Sequence, residues 1–291
     1  MKQEGLKKAL PYLLPSFIIL TIFTFYPLLN AFIQSFNRLP TPDQYDFSLK
    51  TYQWLFKDTT FMNAIQNTLW YSLITVPVSI GISLMIAALL TSIERLRVFF
   101  QTVYFLPYVT SAVAVAFTWG YLFNADYGLI NLILGHLFGL AKIPWIKDPQ
   151  YAMSAVMIFG VWRSLAFNVL ILTTGMLSID PQYYKAARVD GANNATSFFK
   201  ITMPLLAPVV SYVFTIGLIN AFKVFTEVYA LIGSYARVYK ANTMVFYIFD
   251  QLWVYKDYSL ASAAAVVLLV IILVLTLFSR WLARKTDYNA S

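Results

Sequence analysis

Residues 183–204 read YYKAARVDGANNATSFFKITMP. They join two long apolar runs, although a hairpin between membrane spans needs only a few residues. The insert carries Lys185, Arg188 and Lys200 against a single acid, Asp190, with apolar residues at helical spacing. Just ahead of it, Asp180 can cap free helix N–H groups, and Pro181 is pre-set for a first helical position. The spacing predicts a helix from Gln182 to about Val189. Gly191 takes left-handed backbone without penalty and stops it. Asn193, Asn194 and Thr196 then turn the chain into a second short helix, with Phe198, Phe199 and Ile201 on its apolar side. Ala186 and Ala187 are small enough to let another surface approach closely. Pro204 stands at the start of the next span. Such a helix–turn–helix either carries motion from a soluble partner into the membrane or is an amphipathic loop lying at the interface.

The surrounding composition selects a membrane protein. Of 291 residues, 59% are hydrophobic, 18% aromatic and only 12% charged, against roughly 25% charged in soluble domains. A helix needs about 20 apolar residues to cross the hydrocarbon core. Six stretches qualify: 11–34, 68–91, 99–123, 151–177, 205–232 and 259–282. The expected fold class is therefore an all-α polytopic membrane protein of six transmembrane helices, organised as a single domain over 1–291. The first run follows Lys7 and Lys8 like a signal peptide, but it is too long for a signal core and no small-residue cleavage site follows, so it reads as an uncleaved span.

Lys and Arg density sets the orientation. The N-terminus, 92–98, 178–204 and 280–291 hold 11 basic residues in 56 positions, against 8 in 86 for 35–67, 124–150 and 233–258. The denser side is expected to be cytoplasmic, with both termini and the connection 178–204 on it. Of the outer segments, 47–72 mixes aromatic and polar residues and is either an aromatic belt or a surface for a partner. Segment 128–141, GLINLILGHLFGLA, is too short to span and is expected to be a helix on the outer surface.

Several chemistries are excluded. The chain has no cysteine and one histidine, His136, so thiolate sites and histidine metal clusters cannot form within it. The net charge of +8 comes from basic residues flanking apolar runs, which speaks for membrane orientation and membrane lipid, and against nucleic acid. No glycine is followed by lysine, so no P-loop can cradle ATP phosphates. Charges inside the spans are few: Arg163 in the fourth, Lys223 and Glu227 in the fifth. Such a charge costs about 2.5–3.5 kcal/mol at mid-bilayer and normally faces a cavity or a partner. Lys223 and Glu227, four apart, are expected on one helix face, either as an internal ion pair or as a polar wall of a transport path. Arg163 has no partner in its own helix; a sugar hydroxyl, an acidic substrate group or Glu227 are the options. Pro15, Pro27, Pro77 and Pro107 are expected to kink helices.

The insert resembles the EAA loop of membrane subunits of ABC importers. That pattern is Glu-Ala-Ala, three residues, Gly, nine residues, then Ile-x-Leu-Pro; here Lys185, Ala186 and Ala187 are followed by Gly191 and by Ile201, Thr202, Met203 and Pro204. The form YYKAARVDGA is similar to that of maltose-type carbohydrate permeases. The flanking VWRSLAFNVLILTTGMLSIDPQYY (161–184), NAFKVFTEVYAL (220–231) and YSLASAAAVVLL (258–269), with NTLWYSLITVP (67–77) and VYFLPYVTSAVAVAFTW (103–119), extend the likeness over nearly the whole chain.

The resemblance implies a type I ABC importer permease fold in the bacterial cytoplasmic membrane. It implies a second homologous permease subunit (a heterodimer), two ATP-binding subunits that hold ATP and Mg, an extracellular solute-binding protein and a carbohydrate substrate. The chain itself is then no enzyme and has no cofactor of its own. Lys185, Ala186, Ala187, Asp190, Gly191, Ile201 and Pro204 would couple to the ATPase. Arg163, Ser164, Phe167, Asn220, Lys223 and Glu227 would line the substrate path, with Phe167 equally open to a packing role. Two departures stand out: Lys185 replaces the family's Glu, and Gly233, Ser234 and Tyr235 replace its Gly-Gly-Pro. An acidic saccharide or glycerol phosphate is the alternative cargo.

Overall fold

A computed structural model describes residues 2–41, 44–93 and 97–288. Among these residues the architecture is helical, with one isolated antiparallel bridge, Asn37 to Phe47. Five helical stretches are long and apolar enough to cross a membrane: Pro11–Gln34, Thr59–Ser92, Ala152–Leu177, Asn194–Phe222 and Tyr258–Trp281. A sixth is a broken pair, Val98–Val109 and Ala112–Leu122, bent by 98°. The break falls at Ser111, whose backbone is extended (φ −52°, ψ 124°). The third run is therefore two short helices rather than one straight span.

In chain order the helices are α1 (Lys2–Leu20), α2 (Tyr26–Gln34), α3 (Lys50–Lys57), α4 (Thr59–Ser92), α5 (Arg97–Val109), α6 (Ala112–Leu122), α7 (Leu129–Phe138), α8 (Ala152–Leu177), α9 (Pro181–Val189), α10 (Asn194–Ser197), α11 (Met203–Phe222), α12 (Thr226–Ile232), α13 (Met244–Trp253) and α14 (Tyr258–Tyr288). Wide π turns at Thr21–Phe25 and Phe198–Thr202 join α1 to α2 and α10 to α11. Each is followed by a proline at the second position of the next helix, Pro27 or Pro204. Proline has no N–H for the carbonyl four residues back. The residue before each proline bonds instead five residues back, Tyr26 to Thr21 and Met203 to Phe198. The second short helix of the insert is thus continuous with the fifth span. α4 begins at Thr59 rather than near 68, because the Asp58 carboxylate accepts from Thr60 N–H (2.8 Å) and caps an earlier start.

The chain divides into two compact units. The first comprises Met1–Met62 and Tyr247–Val270. Its loop before α3 is organised by Asn37, which is fully buried. The Asn37 amide donates to the carbonyls of Thr41 (3.2 Å) and Gln44 (2.7 Å), and its oxygen accepts from the N–H groups of Leu39 (3.2 Å) and Asp46 (2.9 Å). In the same unit Tyr247 donates to Asp58 (2.7 Å). Burial and that bond hold the Tyr247 phenol well above its ordinary range, so it remains a donor.

The second unit comprises Asn63–Phe246 and Ile271–Ser291 and contains an apolar core around Phe159, Leu172, Val156, Leu206, Val213 and Val228. Within it α8 packs on α5, α11 and α12, and α12 packs on α6. The segment expected as an outer surface helix is α7, stopped at Gly139. Asn131 on α7 is buried and plays the part that Asn37 plays in the first unit. Its amide donates to the carbonyls of Ala125 (3.1 Å) and Ile143 (2.9 Å), and its oxygen accepts from Ile143 N–H (3.4 Å) and Trp145 Nε1 (2.9 Å). All four amide capacities are used. Replacing Asn131 with Ala strands the half-buried donors Ile143 N–H and Trp145 Nε1, at about 1–3 kcal/mol. Asn131→Ala is expected to lower the thermal midpoint of the detergent-solubilised protein, followed by tryptophan fluorescence; an unchanged midpoint would show the loop to be held by other contacts.

Candidate functional site

The site is built from helices whose outward faces are apolar and whose facing sides are not. α4 contributes Tyr71, Thr75 and Ser79, one turn apart and so on one face. α8 contributes Arg163, Ser164, Phe167 and Asn168; α11 contributes Gly217 and Asn220; α5 contributes Tyr108. Beyond α11 the chain adds Lys223, Thr226 and Glu227. Together they line a cavity of about 470 Å³, within the usual size range of small-molecule sites.

The fifth apolar run is not one helix. α11 ends at Phe222, and α12 starts only at Thr226. Between them Phe225 leaves helical backbone (φ −141°, ψ −53°). A break at membrane depth is tolerable when the freed groups find partners. Here the Thr243 hydroxyl donates to the Val224 carbonyl at 2.8 Å. The break removes the shared helix face expected for Lys223 and Glu227, and these two do not pair. Glu227 instead accepts from Arg163 at 3.2 Å, and the two side chains are only 19% and 27% exposed. The fourth span's cation thus finds its counter-ion on the fifth. Lys223 is exposed and caps the end of α11.

The remaining wall is polar and aromatic in patches. Asn168 is buried and donates to Ser79 Oγ at 3.2 Å, linking α8 to α4. Phe167 stacks on Tyr108 with ring centroids 6.0 Å apart, so one of its faces is used in packing. The Ser164 hydroxyl donates to the Val161 carbonyl of its own helix (2.8 Å) and retains its acceptor capacity. A Cβ at Gly160 would overlap the Tyr71 hydroxyl, so glycine sets how closely α8 and α4 approach there. All six residues singled out on the path thus lie on one cavity. Tyr71, Thr75, Ser79, Tyr108 and Asn168 escaped the sequence reading. The polar stripe at 71, 75 and 79 in an apolar run was the available signal.

The connection from 180 to 204 is tightly capped. Asp180 Oδ1 accepts from Gln182 N–H at 2.9 Å. At the far end of α9, Gly191 has φ +77°. Its N–H donates to the Arg188 carbonyl (3.1 Å), and Ala192 N–H reaches the Ala187 carbonyl (2.9 Å). This is the paired-bond stop that left-handed glycine permits. Asn193 then caps α10 through Thr196 N–H at 2.7 Å. Tyr184 Oη and Thr202 Oγ1, 2.8 Å apart, tie α9 to the π turn. Ala187 is buried, whereas Lys185, Ala186 and Asp190 are exposed, as are Tyr183, Val189 and Phe199. Ile201 is half-buried, and Pro204 is exposed at the base of α11. Among the described residues no group of three His, Asp or Glu could hold a metal ion.

Residues 79–288 match the family described as binding-protein-dependent transport system inner membrane component. The chain belongs to this family. It is thus an integral membrane permease subunit of an ABC importer, a transport component rather than an enzyme, and its family implies partner subunits. It is 36% identical to a probable ABC transporter permease protein of Mycoplasma genitalium over 275 residues, covering 90% of this chain and 81% of the relative. It is 33% identical to an arabinooligosaccharides transport system permease protein of Bacillus subtilis, over 94% and 88% of the two chains. In fold it is similar to a chain of a bacterial alginate ABC transporter solved in complex with an alginate pentasaccharide-bound periplasmic protein, with a TM-score of 0.84, 24% identity, and 98% and 96% coverage.

The ion pair gives a direct test of the permease's architecture. Glu227→Ala leaves a half-buried guanidinium unpaired and is expected to lower the amount of folded protein in membranes; removing one partner of a buried pair costs about 3–5 kcal/mol. The double variant Arg163→Ala/Glu227→Ala is expected to recover that amount. A double variant no better than the single one would show that the two charges are stabilised separately.

Proposed function

We propose that this permease translocates a carbohydrate, an oligosaccharide, through the space between α4, α8 and α11. One observation carries the reading: the two helices that hold the 180–204 connection, α8 and α11, also wall the cavity. A push on α9 therefore acts on the substrate-lining helices without an intervening flexible segment. In this reading α9 docks on an ATP-binding partner through Lys185, Ala186 and the turn at Asp190 and Gly191. Ala187, Ile201 and Pro204 brace the docking helix against α11. Hydrolysis belongs to two ATP-binding subunits, which hold ATP and Mg. A second permease completes the path, and an external solute-binding protein delivers the sugar. The 180–204 connection and both termini face the cytoplasm, and the chain works as one permease domain. The mixture of a ring (Phe167), amide and hydroxyl groups (Asn220, Ser164) and the held guanidinium of Arg163 suits a ligand with apolar faces and many hydroxyls. Relatives named for arabinooligosaccharide and alginate transport support that class.

Uptake by the reconstituted complex, with a panel of labelled oligosaccharides, tests the reading. Arg163→Ala is expected to impair uptake of the preferred sugar, and unchanged kinetics would remove Arg163 from the path. A complex that takes up no saccharide refutes the substrate class. Lys185→Glu tests docking separately. It restores the family's charge but opposes a partner cleft matched to lysine, so transport-coupled ATP hydrolysis is expected to fall. Unchanged coupling would show that position 185 makes no contact.

A further inference from the structure

The charges around the cavity do not balance. Its ionisable lining offers two cations, Arg163 and Lys223, against one carboxylate, Glu227. Glu227 is already engaged by Arg163 at 3.2 Å. Among the described residues, Lys223 has no acidic group within ion-pair distance. A lysine at a helix end is ordinarily accounted for by the partial negative charge of the helix carboxyl terminus. Here that account is weakened, because α11 ends where α12 begins. Residues 223–225 separate the two, so the negative end of one half-helix meets the positive end of the other, and the two partial charges largely offset. What remains is one whole positive charge on an exposed side chain lining a cavity whose other polar walls are neutral, the Arg163–Glu227 pair apart. A cleft with a net charge of one sign raises the local concentration of counter-ions, here anions.

We infer that the transported saccharide carries an anionic group, a carboxylate or a phosphate, and that Lys223 receives it while Arg163 is retained by Glu227. This rests on the carbohydrate reading above and narrows it. The division of labour follows from the two environments. Arg163 is half-buried and its charge is committed to holding α8 against α12. Lys223 sits at the break with its ammonium uncommitted, and a flexible lysine can follow a moving anion as a point charge. Asn220, one turn before it on α11, presents a side-chain amide to the same cavity and can hydrogen-bond neighbouring hydroxyls. The neutral wall of Tyr71, Thr75 and Ser79 on α4 supplies no competing charge.

The test is uptake by the complete complex in proteoliposomes with its solute-binding protein saturating. Three labelled probes are compared: a uronic-acid trisaccharide, a sugar phosphate and the neutral trisaccharide of matching linkage. The wild type is expected to take up one of the two anionic probes in preference to the neutral one, and which one identifies the anion. Lys223→Gln is expected to lower that uptake about ten-fold, the scale of one charge-assisted hydrogen bond. Lys223→Arg, which keeps the charge, is expected to retain most of it. Because the binding protein is common to all variants, a difference between them belongs to the permease. Uptake of the neutral probe alone overturns the anionic assignment and leaves the carbohydrate reading standing. Uptake of none of the three overturns both. Equal loss of anionic and neutral uptake in Lys223→Gln overturns the assignment in favour of a structural partner for Lys223, such as an acid on the second permease.

Discussion

An arginine in the middle of a membrane span must find a carboxylate, and here the search fixes the positions of three helical pieces. Arg163 stands well inside α8. Its partner, Glu227, comes not from the helix that would carry it if the fifth run were continuous, but from a separate short helix placed after a break. The ion pair holds α12 against α8. The break ends α11 at the cavity wall and leaves Lys223 there, free of Glu227. The Thr243 hydroxyl on the Val224 carbonyl satisfies a backbone group that the break exposes. In hydrocarbon an unsatisfied carbonyl would cost several kcal/mol, so the discontinuity and its cap belong together.

The connection between α8 and α11 has the opposite character: everything about it limits movement within the element. The Asp180 cap, the left-handed Gly191 stop, the Asn193 cap and the Tyr184–Thr202 contact close each orphan end of a short helix that would be marginal alone. The π turn before Pro204 carries the chain into α11 without a flexible joint. At the base of α8, a Cβ on Gly175 would press on Leu206 and Val209, so the absence of a side chain lets α8 and α11 meet closely just where the connection is rooted. A rigid element on two closely packed helices suits the mechanical coupling proposed for it above.

Two segments between spans, in different units, reach the same local solution. Asn37 and Asn131 are each buried, and each uses two donors and two acceptors to bind the loop around it. A buried amide with every capacity filled specifies one loop conformation, because any other leaves polar groups unpaired. This gives long, polar segments between spans a defined shape without disulfides, which a chain lacking cysteine cannot make.

Composition and periodicity alone determined that the chain is a helical membrane protein, where its apolar runs lie, and how the insert begins and stops. Those features are local: apolar length, an Asp before a Pro, a glycine after the last helical residue. The same locality put Lys223 and Glu227 on one helix face, and that was wrong. The break after Phe222 and the Asn131 hub each depend on a group well separated in sequence, Thr243 for the first and Ile143 and Trp145 for the second. Arg163 shows the limit well. Its type and depth announced that it needed a counter-charge, but only the packing of α8 against α12 decided that Glu227 would supply it, because a hydrogen-bonding partner at 3.2 Å is a property of helix placement rather than of sequence spacing.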